Sequence, residues 1–411
     1  MRGKNQKAVA TVPKIKSWIN QESQCSQMSS GLYFPLEMQI GSNLPLTQFA
    51  CDVPPYALDL IFQFFTTLGG AMYPITLCLS FDVKSLMWIE HLAVDPLYCN
   101  SVLWMVQSYF DWMRGCGTSH VQMQHASETL NLLQYRLSDN RLAVSEVTIS
   151  VVMSLVMMNA LMGDVAVARK HMLGLWEMVG LRGGVGTFGN GQIRVKVCRA
   201  DLTVALLTGN KPLFFSEGVS WEPYIAKSQN TPLPPPFAAL DSKLSHIWAD
   251  LREFSRSANL AFQTGQKMDC TLFQEVLVSV QYRLQLLEMV TGPLDEAMQV
   301  GMLAFNTDIF LQMQGLEIRF GRLSSRIRDS LLGLNDTFLL TFKLWLLFAA
   351  QMCIGFGTEE LWLKRDISET LEALCLTSWK ATRDILKDYL WIDVLHDGGG
   401  RKTFHAAISG S

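Results

Sequence analysis

The chain contains nine cysteines but no Cys-x-x-Cys pair. Structural zinc sites usually take their ligands from closely spaced pairs of cysteine or histidine, so we expect no zinc here. The cysteines are scattered, mostly among apolar neighbours. This distribution predicts free thiols in a reducing compartment rather than a disulfide framework.

Charge is also scarce, because Asp, Glu, Lys and Arg make up 17% of the 411 residues and the net charge is −3. Soluble proteins usually contain about 25% charged residues. This balance argues against a broad basic surface for nucleic acid. Hydrophobic residues make up 49% of the chain, which is long enough to bury a large core. We therefore expect helices that are covered on most sides.

Signatures of nucleotide binding and nucleophilic catalysis are missing as well. The glycine-rich stretch Gly183–Gly191 follows a predicted helix instead of a strand. No Gly-Lys-Ser or Gly-Lys-Thr sequence closes it, which argues against a phosphate loop. The chain also has no Gly-x-Ser-x-Gly sequence. We predict that the protein is not an enzyme and carries no cofactor.

Apolar residues recur at helical spacing through almost the whole chain after residue 55, and no alternating strand pattern stands out. Short breaks between these segments favour antiparallel neighbours. The prediction is an all-α fold, an array of antiparallel helical hairpins that forms one large helical domain. Its parts are a flexible N-terminal segment (1–55), a front half (56–215), a Pro-rich loop (216–239) and a back half (240–411). The helices predicted in the back half are 240–263, 271–290, 293–314, 336–354, 359–376 and 378–395.

Local signals mark several helix ends in the front half. Asp95 followed by proline, Ser145 and Asp164 are each placed to cap the start of a helix. Gly183 is placed to end the helix that Asp164 opens. The apolar stripe predicted for that helix consists of Val167, Leu173, Leu175, Met178 and Leu181.

One apolar run, Phe338–Phe356, approaches the length of a membrane-spanning helix. Lys343 lies within it, and no aromatic belt with basic clusters flanks it. We predict a buried core helix and no contact with a membrane.

The segment from His171 to Gly184 has the pattern H-x-x-G-L-x-x-M-V-x-L-R-G-G. It resembles the signature of the fungal-specific transcription factor domain, a large helical region that follows a binuclear zinc cluster in fungal regulators. Similar stretches in the same order extend the resemblance from about Tyr56 to the end of the chain, among them FFTTLGGAMYPI, HASETLNLLQYRLSD and LKDYLWIDVLHDGGGRKTF. The positions that carry the signature are His171, Gly174, Leu181, Arg182, Gly183, Gly184 and, in the following helix, Asp201.

The resemblance implies transcription regulation in the nucleus, through contacts with partner proteins or a second copy of the chain and under control of a small apolar effector. The six-cysteine cluster and its basic run are absent from these residues. DNA would be reached only indirectly, or through a cluster encoded upstream; the cluster is either naturally missing or lost from the gene prediction. The alternative is a helical enzyme, or a lipid- or small-molecule-binding protein, that uses its apolar interior as a cavity.

Candidate site residues have structural and functional interpretations. No second histidine or carboxylate lies at metal spacing from His171, which favours a hydrogen-bonded packing role over a ligand role. Arg182 at a helix end and Asp201 on the next helix are predicted to form a structural clamp across the turn. Four methionines on two neighbouring helices either fill the core or form an apolar effector pocket: Met153, Met157, Met172 and Met178.

Overall fold

Helices make up nearly all of the described chain, which confirms the all-α prediction. The computed structural model describes residues 49–53, 57–58, 61, 79–80, 89–113, 117–189, 192–226, 237, 240–288, 292–312, 318–332, 334, 339–355 and 361–409. All of them lie in one compact unit, Gln48–Ser411. Most of the predicted N-terminal segment (1–55) and half of the predicted Pro-rich loop (216–239) lie outside these residues.

Fifteen α-helices occur within the described residues. They are α1 (Ile89–Val94), α2 (Pro96–Met113), α3 (His120–Leu137), α4 (Asn140–Ala143), α5 (Glu146–Leu161), α6 (Val165–Arg182), α7 (Gln192–Thr208), α8 (Ser242–Thr264), α9 (Cys270–Leu286), α10 (Pro293–Phe310), α11 (Gly321–Leu332), α12 (Leu340–Ile354), α13 (Leu361–Ala373), α14 (Trp379–Asp388) and α15 (Asp393–Ile408). Helices joined by short connections pack on each other, as in α2–α3, α5–α6 and α9–α10. Two short strands, β1 (Leu79–Ser80) and β2 (Met268–Asp269), pair in parallel.

The predicted helix caps in the front half are confirmed. The side chains of Asp95, Ser145 and Asp164 each accept a hydrogen bond from the backbone N–H three residues later, at 3.0, 3.3 and 3.1 Å. Such caps satisfy an N–H group that has no partner inside the helix. Gly183 ends α6 with a φ of 106°, a left-handed conformation that glycine adopts without steric cost.

The apolar stripe predicted along α6 is partly wrong. Leu173 and Leu181 are 40% and 79% exposed, whereas Leu175 and Met178 are buried. The helix buries a face that recurs every three or four residues and includes a small residue: Ala168, Met172, Leu175 and Val179. Periodicity alone did not locate this face, because α6 is apolar on more than one side.

The apolar run near residue 340 forms α12 in the centre of the molecule, as predicted. Its side chains from Leu344 to Gln351 are all buried. A Cβ on Gly301 of α10 would come 2.6 Å from the ring of Trp345, so a glycine is needed for this close packing. None of the helices in the described ranges is long and apolar enough to cross a membrane.

Three predictions for the back half need correction. The helix α11 was not predicted, and the range predicted as one helix, 378–395, contains the whole of α14 and the first residues of α15. The chain is extended at Ile392 between them. Helix α15 also runs through Gly398–Gly400, beyond the predicted end at residue 395, and Gly400 lies against Trp379 and Trp391. A Cβ there would approach the two indole rings to 2.6 and 2.9 Å.

The cysteines also depart from the prediction at one pair. Cys51 and Cys99 form a disulfide, with Cα atoms 6.3 Å apart and a separation of 48 positions in sequence. The spacing of cysteines along the chain did not indicate this proximity, which depends on how residues 49–53 lie against α2. Cys198, Cys270 and Cys353 are buried, and Cys375 is exposed.

Candidate functional site

The strongest candidate site lies where α7 and α9 face a non-helical stretch, residues 213–226, which we name the 213–226 segment. Both ends of this segment are bound by buried aspartates from neighbouring helices. A loop normally lies on the surface, because its backbone polar groups need partners. Here the two carboxylates supply those partners and fix the segment as a wall of the site.

Asp201 of α7 holds the first end of the segment. Its carboxylate accepts hydrogen bonds from the backbone N–H groups of Leu213 and Phe214 at 2.8 and 3.0 Å, and from the Tyr282 hydroxyl at 2.9 Å. Burial raises its pKa to about 6, although these hydrogen bonds act in the opposite direction. Asp201 is therefore the signature residue with the largest role in the site.

Asp250 of α8 holds the other end. Its carboxylate accepts hydrogen bonds from the backbone N–H groups of Tyr224, Ile225 and Ala226 at 2.8 to 3.1 Å. It also lies 2.5 Å from a guanidinium nitrogen of Arg283, and both side chains are fully buried. A buried charge is tolerated when it is both paired and hydrogen-bonded, and this carboxylate meets both conditions.

Between these two anchors the segment, α7 and α9 enclose a cavity of about 590 Å³. This volume is in the usual range of small-molecule sites. Positions one helical turn apart place each helix's contribution on a single face. The lining residues are Arg194, Val195 and Cys198 from α7, Phe215, Gly218, Val219, Ser220 and Tyr224 from the segment, and Glu275, Val278, Ser279 and Tyr282 from α9.

Phe215 lines this cavity in an unusual backbone conformation. Its φ is +58°, in the left-handed region that residues other than glycine rarely adopt. Its ring is 46% exposed and packs edge-on against Tyr282, with ring centroids 4.9 Å apart. Strained residues of this kind are concentrated at functional sites.

A charged cluster joins the three elements across the cavity. Arg194 forms an ion pair with Oε1 of Glu275, and the hydroxyl of Tyr224 donates to Oε2 of the same carboxylate at 2.7 Å. Burial raises the pKa of Tyr224 to about 12, and the hydrogen bond to Glu275 acts in the same direction. Burial also raises the pKa of the Cys198 thiol to about 12. Both groups therefore stay protonated at neutral pH.

The predicted clamp between Arg182 and Asp201 is wrong. Arg182 donates to the carbonyl of Val144 at 2.8 Å and to Glu146 Oε1 at 2.9 Å, and its guanidinium lies over the ring of Phe188. It therefore ties the end of α6 back to the start of α5. The sequence showed that Arg182 lies at the end of α6. It did not show that the start of α5, and not the following helix α7, lies beside this arginine.

The remaining signature residues lie outside the cavity. His171 is half-buried on α6, and burial lowers its pKa. No group of histidine, cysteine, aspartate or glutamate suited to a metal occurs among the residues that the structure describes. Space for a Cβ is open at Gly174, so this glycine does not serve a close helix crossing. Gly184 has a φ of 94° and continues the turn that Gly183 begins.

The four methionines contribute to packing. Met172 and Met178 are buried, and Met153 and Met157 pack against the same core. None of them lines the cavity between α7 and α9. The apolar pocket predicted from their clustering remains a prediction.

A second buried cluster surrounds His396 near the start of α15. Its Nδ1 accepts the backbone N–H of Ile392 at 2.9 Å, so the ring proton is on Nε2, which lies 3.3 Å from Asp308. The rings of Phe305 and Trp391 pack against the imidazole. The adjoining cavity of about 10 Å³ has room for one water at most. This histidine closes the start of a helix and has no space beside it for a substrate.

Sequence reasoning missed Arg194, Tyr224, Glu275 and Tyr282, because each helix offered several faces and nothing marked which two would meet. Comparisons with protein families, with curated proteins and with solved structures find no match to this chain.

Proposed function

We propose that the protein regulates transcription as a fungal-type helical regulatory protein, acting through contacts with partner proteins and controlled by a small-molecule effector. The cavity between α7 and α9 is the observation that carries the effector part of this proposal. The regulatory part depends on the resemblance of the 171–184 signature. The two are adjacent in the chain, because α7 directly follows the signature turn and contributes Arg194 and Asp201 to the site.

The chemistry of the cavity supports binding rather than catalysis. Its candidate nucleophiles are held protonated, since burial raises the pKa of both Cys198 and Tyr224 to about 12. A nucleophile needs a lowered pKa or an adjacent base. The carboxylate that could act as a base, Glu275, is already engaged by Arg194 and Tyr224. A carboxylate that is already ion-paired and hydrogen-bonded can orient a ligand, but it is a poor proton acceptor.

Contacts with partner proteins are supported by the apolar residues that α6 exposes. Leu173, Trp176 and Leu181 are 40%, 45% and 79% exposed. Exposed apolar residues grouped on one element are typical of interaction sites. DNA would be reached through such a partner or through a zinc cluster outside these residues.

A nuclear location is also part of the proposal, and the Cys51–Cys99 disulfide gives a way to test it. Disulfides are rare in the reducing nucleus and persist in oxidising compartments. The Cys51–Cys99 pair therefore does not support a nuclear location, which depends on the resemblance of the 171–184 signature alone. Alkylation of intact cells followed by mass spectrometry measures whether the pair is oxidised there. A reduced pair would agree with the nuclear location, and a fully oxidised pair would contradict it.

The regulatory proposal is tested by fusing the full chain to an unrelated DNA-binding domain and measuring a reporter gene in yeast. We expect reporter output to differ from that of the DNA-binding domain alone and to change when Val278→Trp places an indole ring in the cavity. Leu272→Trp is the matched control, because Leu272 lies on the same helix, is 49% exposed and does not line the cavity. Output equal to that of the DNA-binding domain alone would contradict the proposal.

A further inference from the structure

Arg194 has more hydrogen-bond donors than its contacts with the described residues use. A guanidinium carries five N–H donors. Within the described residues, the Arg194 side chain makes one hydrogen bond, from Nη2 to Oε1 of Glu275. Glu275 accepts at both oxygens, at Oε1 from Arg194 and at Oε2 from Tyr224. Arg194 therefore has donors left for the acceptor groups of a ligand.

The rest of the lining is mostly apolar. Val195, Val219 and Val278 contribute aliphatic surface, and Phe215 and Tyr282 contribute rings that pack edge-on at 4.9 Å. A group that satisfies Arg194 must therefore be attached to an apolar body. The hydroxyl of Tyr282 faces Asp201 instead, so its polar end is already occupied.

We propose that the cavity binds a small carboxylic acid with an apolar body. The carboxylate of this ligand pairs with the guanidinium of Arg194 and replaces the carboxylate of Glu275 as its partner. A carboxylate matches the planar fork of an arginine and binds it through two parallel hydrogen bonds. Glu275 keeps the hydroxyl of Tyr224 after the exchange. This inference rests on the proposed function, since it names the ligand class of the same site.

The exchange would also reach the 213–226 segment. Tyr224 links Glu275 to that segment through its hydroxyl, while its backbone N–H is held by Asp250. A shift of the Glu275 carboxylate therefore moves a side chain whose backbone is fixed. A ligand of this class changes the wall of the cavity without unfolding it.

Binding of three matched probes to the full chain tests the ligand class: 4-phenylbutyrate, 4-phenylbutyramide and 4-phenylbutylamine, each followed by isothermal titration calorimetry. We expect the acid to bind at least tenfold more tightly than the amide, and the amine not to bind. Arg194→Gln is expected to weaken the acid at least tenfold. Arg326→Gln is the control, because Arg326 pairs with Glu296 away from this cavity.

Glu275→Gln separates a ligand exchange from a general disturbance of the site. It removes the carboxylate that competes for Arg194, so the acid should bind several-fold more tightly, whereas a merely structural role for Glu275 predicts weaker binding of every probe. The proposal is overturned if Glu275→Gln weakens the acid, if the amide or amine binds as well as the acid, or if no probe binds at millimolar concentration. If the amide binds as tightly as the acid and Val278→Trp abolishes its binding, the proposed ligand class is wrong, whereas the location of the effector site in this cavity is supported.

Discussion

The carboxylate of Asp250 gives a quantitative test of how the 213–226 segment is held. Asn at this position removes the charge that faces Arg283, whose side chain is 1% exposed, and leaves one acceptor oxygen for the backbone N–H groups. Breaking a buried ion pair by removing one partner costs about 3–5 kcal/mol. Each backbone hydrogen bond lost adds about 1 kcal/mol. We therefore expect Asp250→Asn to lower the free energy of unfolding by about 4–6 kcal/mol, with one backbone hydrogen bond lost.

Urea unfolding followed by far-ultraviolet circular dichroism measures this change. Glu369→Gln is the control, because Glu369 and its partner Arg365 are 65% and 67% exposed, and exposed pairs contribute less than about 1 kcal/mol. Adding Arg283→Met to Asp250→Asn should recover part of the loss, since it removes the unpaired charge. A loss below about 1 kcal/mol for Asp250→Asn would refute the argument that this ion pair holds the segment.

Three further predictions concern other parts of the fold. Gly400→Ala is expected to lower the free energy of unfolding by about 1–3 kcal/mol, because its Cβ would meet two indole rings. Gly398→Ala in the same helix has open space for a Cβ and should raise the free energy of unfolding by about 0.5–1 kcal/mol. Chemical denaturation of the two variants measures both changes. The raised pKa of Asp201, about 6 against an ordinary 3.8, means that the folded state binds more protons than the unfolded state between these values. The free energy of unfolding of the wild type relative to Asp201→Asn should therefore fall by about 2 kcal/mol from pH 4.5 to 7, and a difference that rises over this range would contradict the burial argument. A double-mutant cycle by urea unfolding should measure a coupling energy of about 0.5 kcal/mol or more between Arg182 and Glu146. The effects of mutating Arg182 and Asp201 on the free energy of unfolding should be additive.

The sequence predicted the capped helix ends of the front half, because a cap depends on neighbouring residues in the sequence. The caps at Asp95, Ser145 and Asp164 and the left-handed Gly183 depend on residues within one turn, and all four are confirmed. The buried helix near residue 340 was also predictable, since a long apolar run is stable in water only when its side chains are buried.

Predictions that depended on packing between distant elements failed. Arg182 was expected to reach forward to Asp201 but reaches back to Glu146, and the helix predicted to end at residue 395 is followed by one that continues through three successive glycines. In both cases the deciding contact comes from another element, such as the two tryptophans that pack on Gly400. The same reason explains why the sequence did not predict the site, whose charged cluster joins positions 194, 224 and 275.

Hydrogen–deuterium exchange of the full chain, with and without 4-phenylbutyrate, tests the central claim that the cavity between α7 and α9 binds the effector. The account predicts slower exchange in three stretches, 192–198, 213–226 and 275–282, and the loss of this protection in Val278→Trp. Protection confined to α5 and α6, around Met157 and Met172, would place the ligand in the methionine-rich helices instead. That result, or no protection at all, would contradict the assignment of the site.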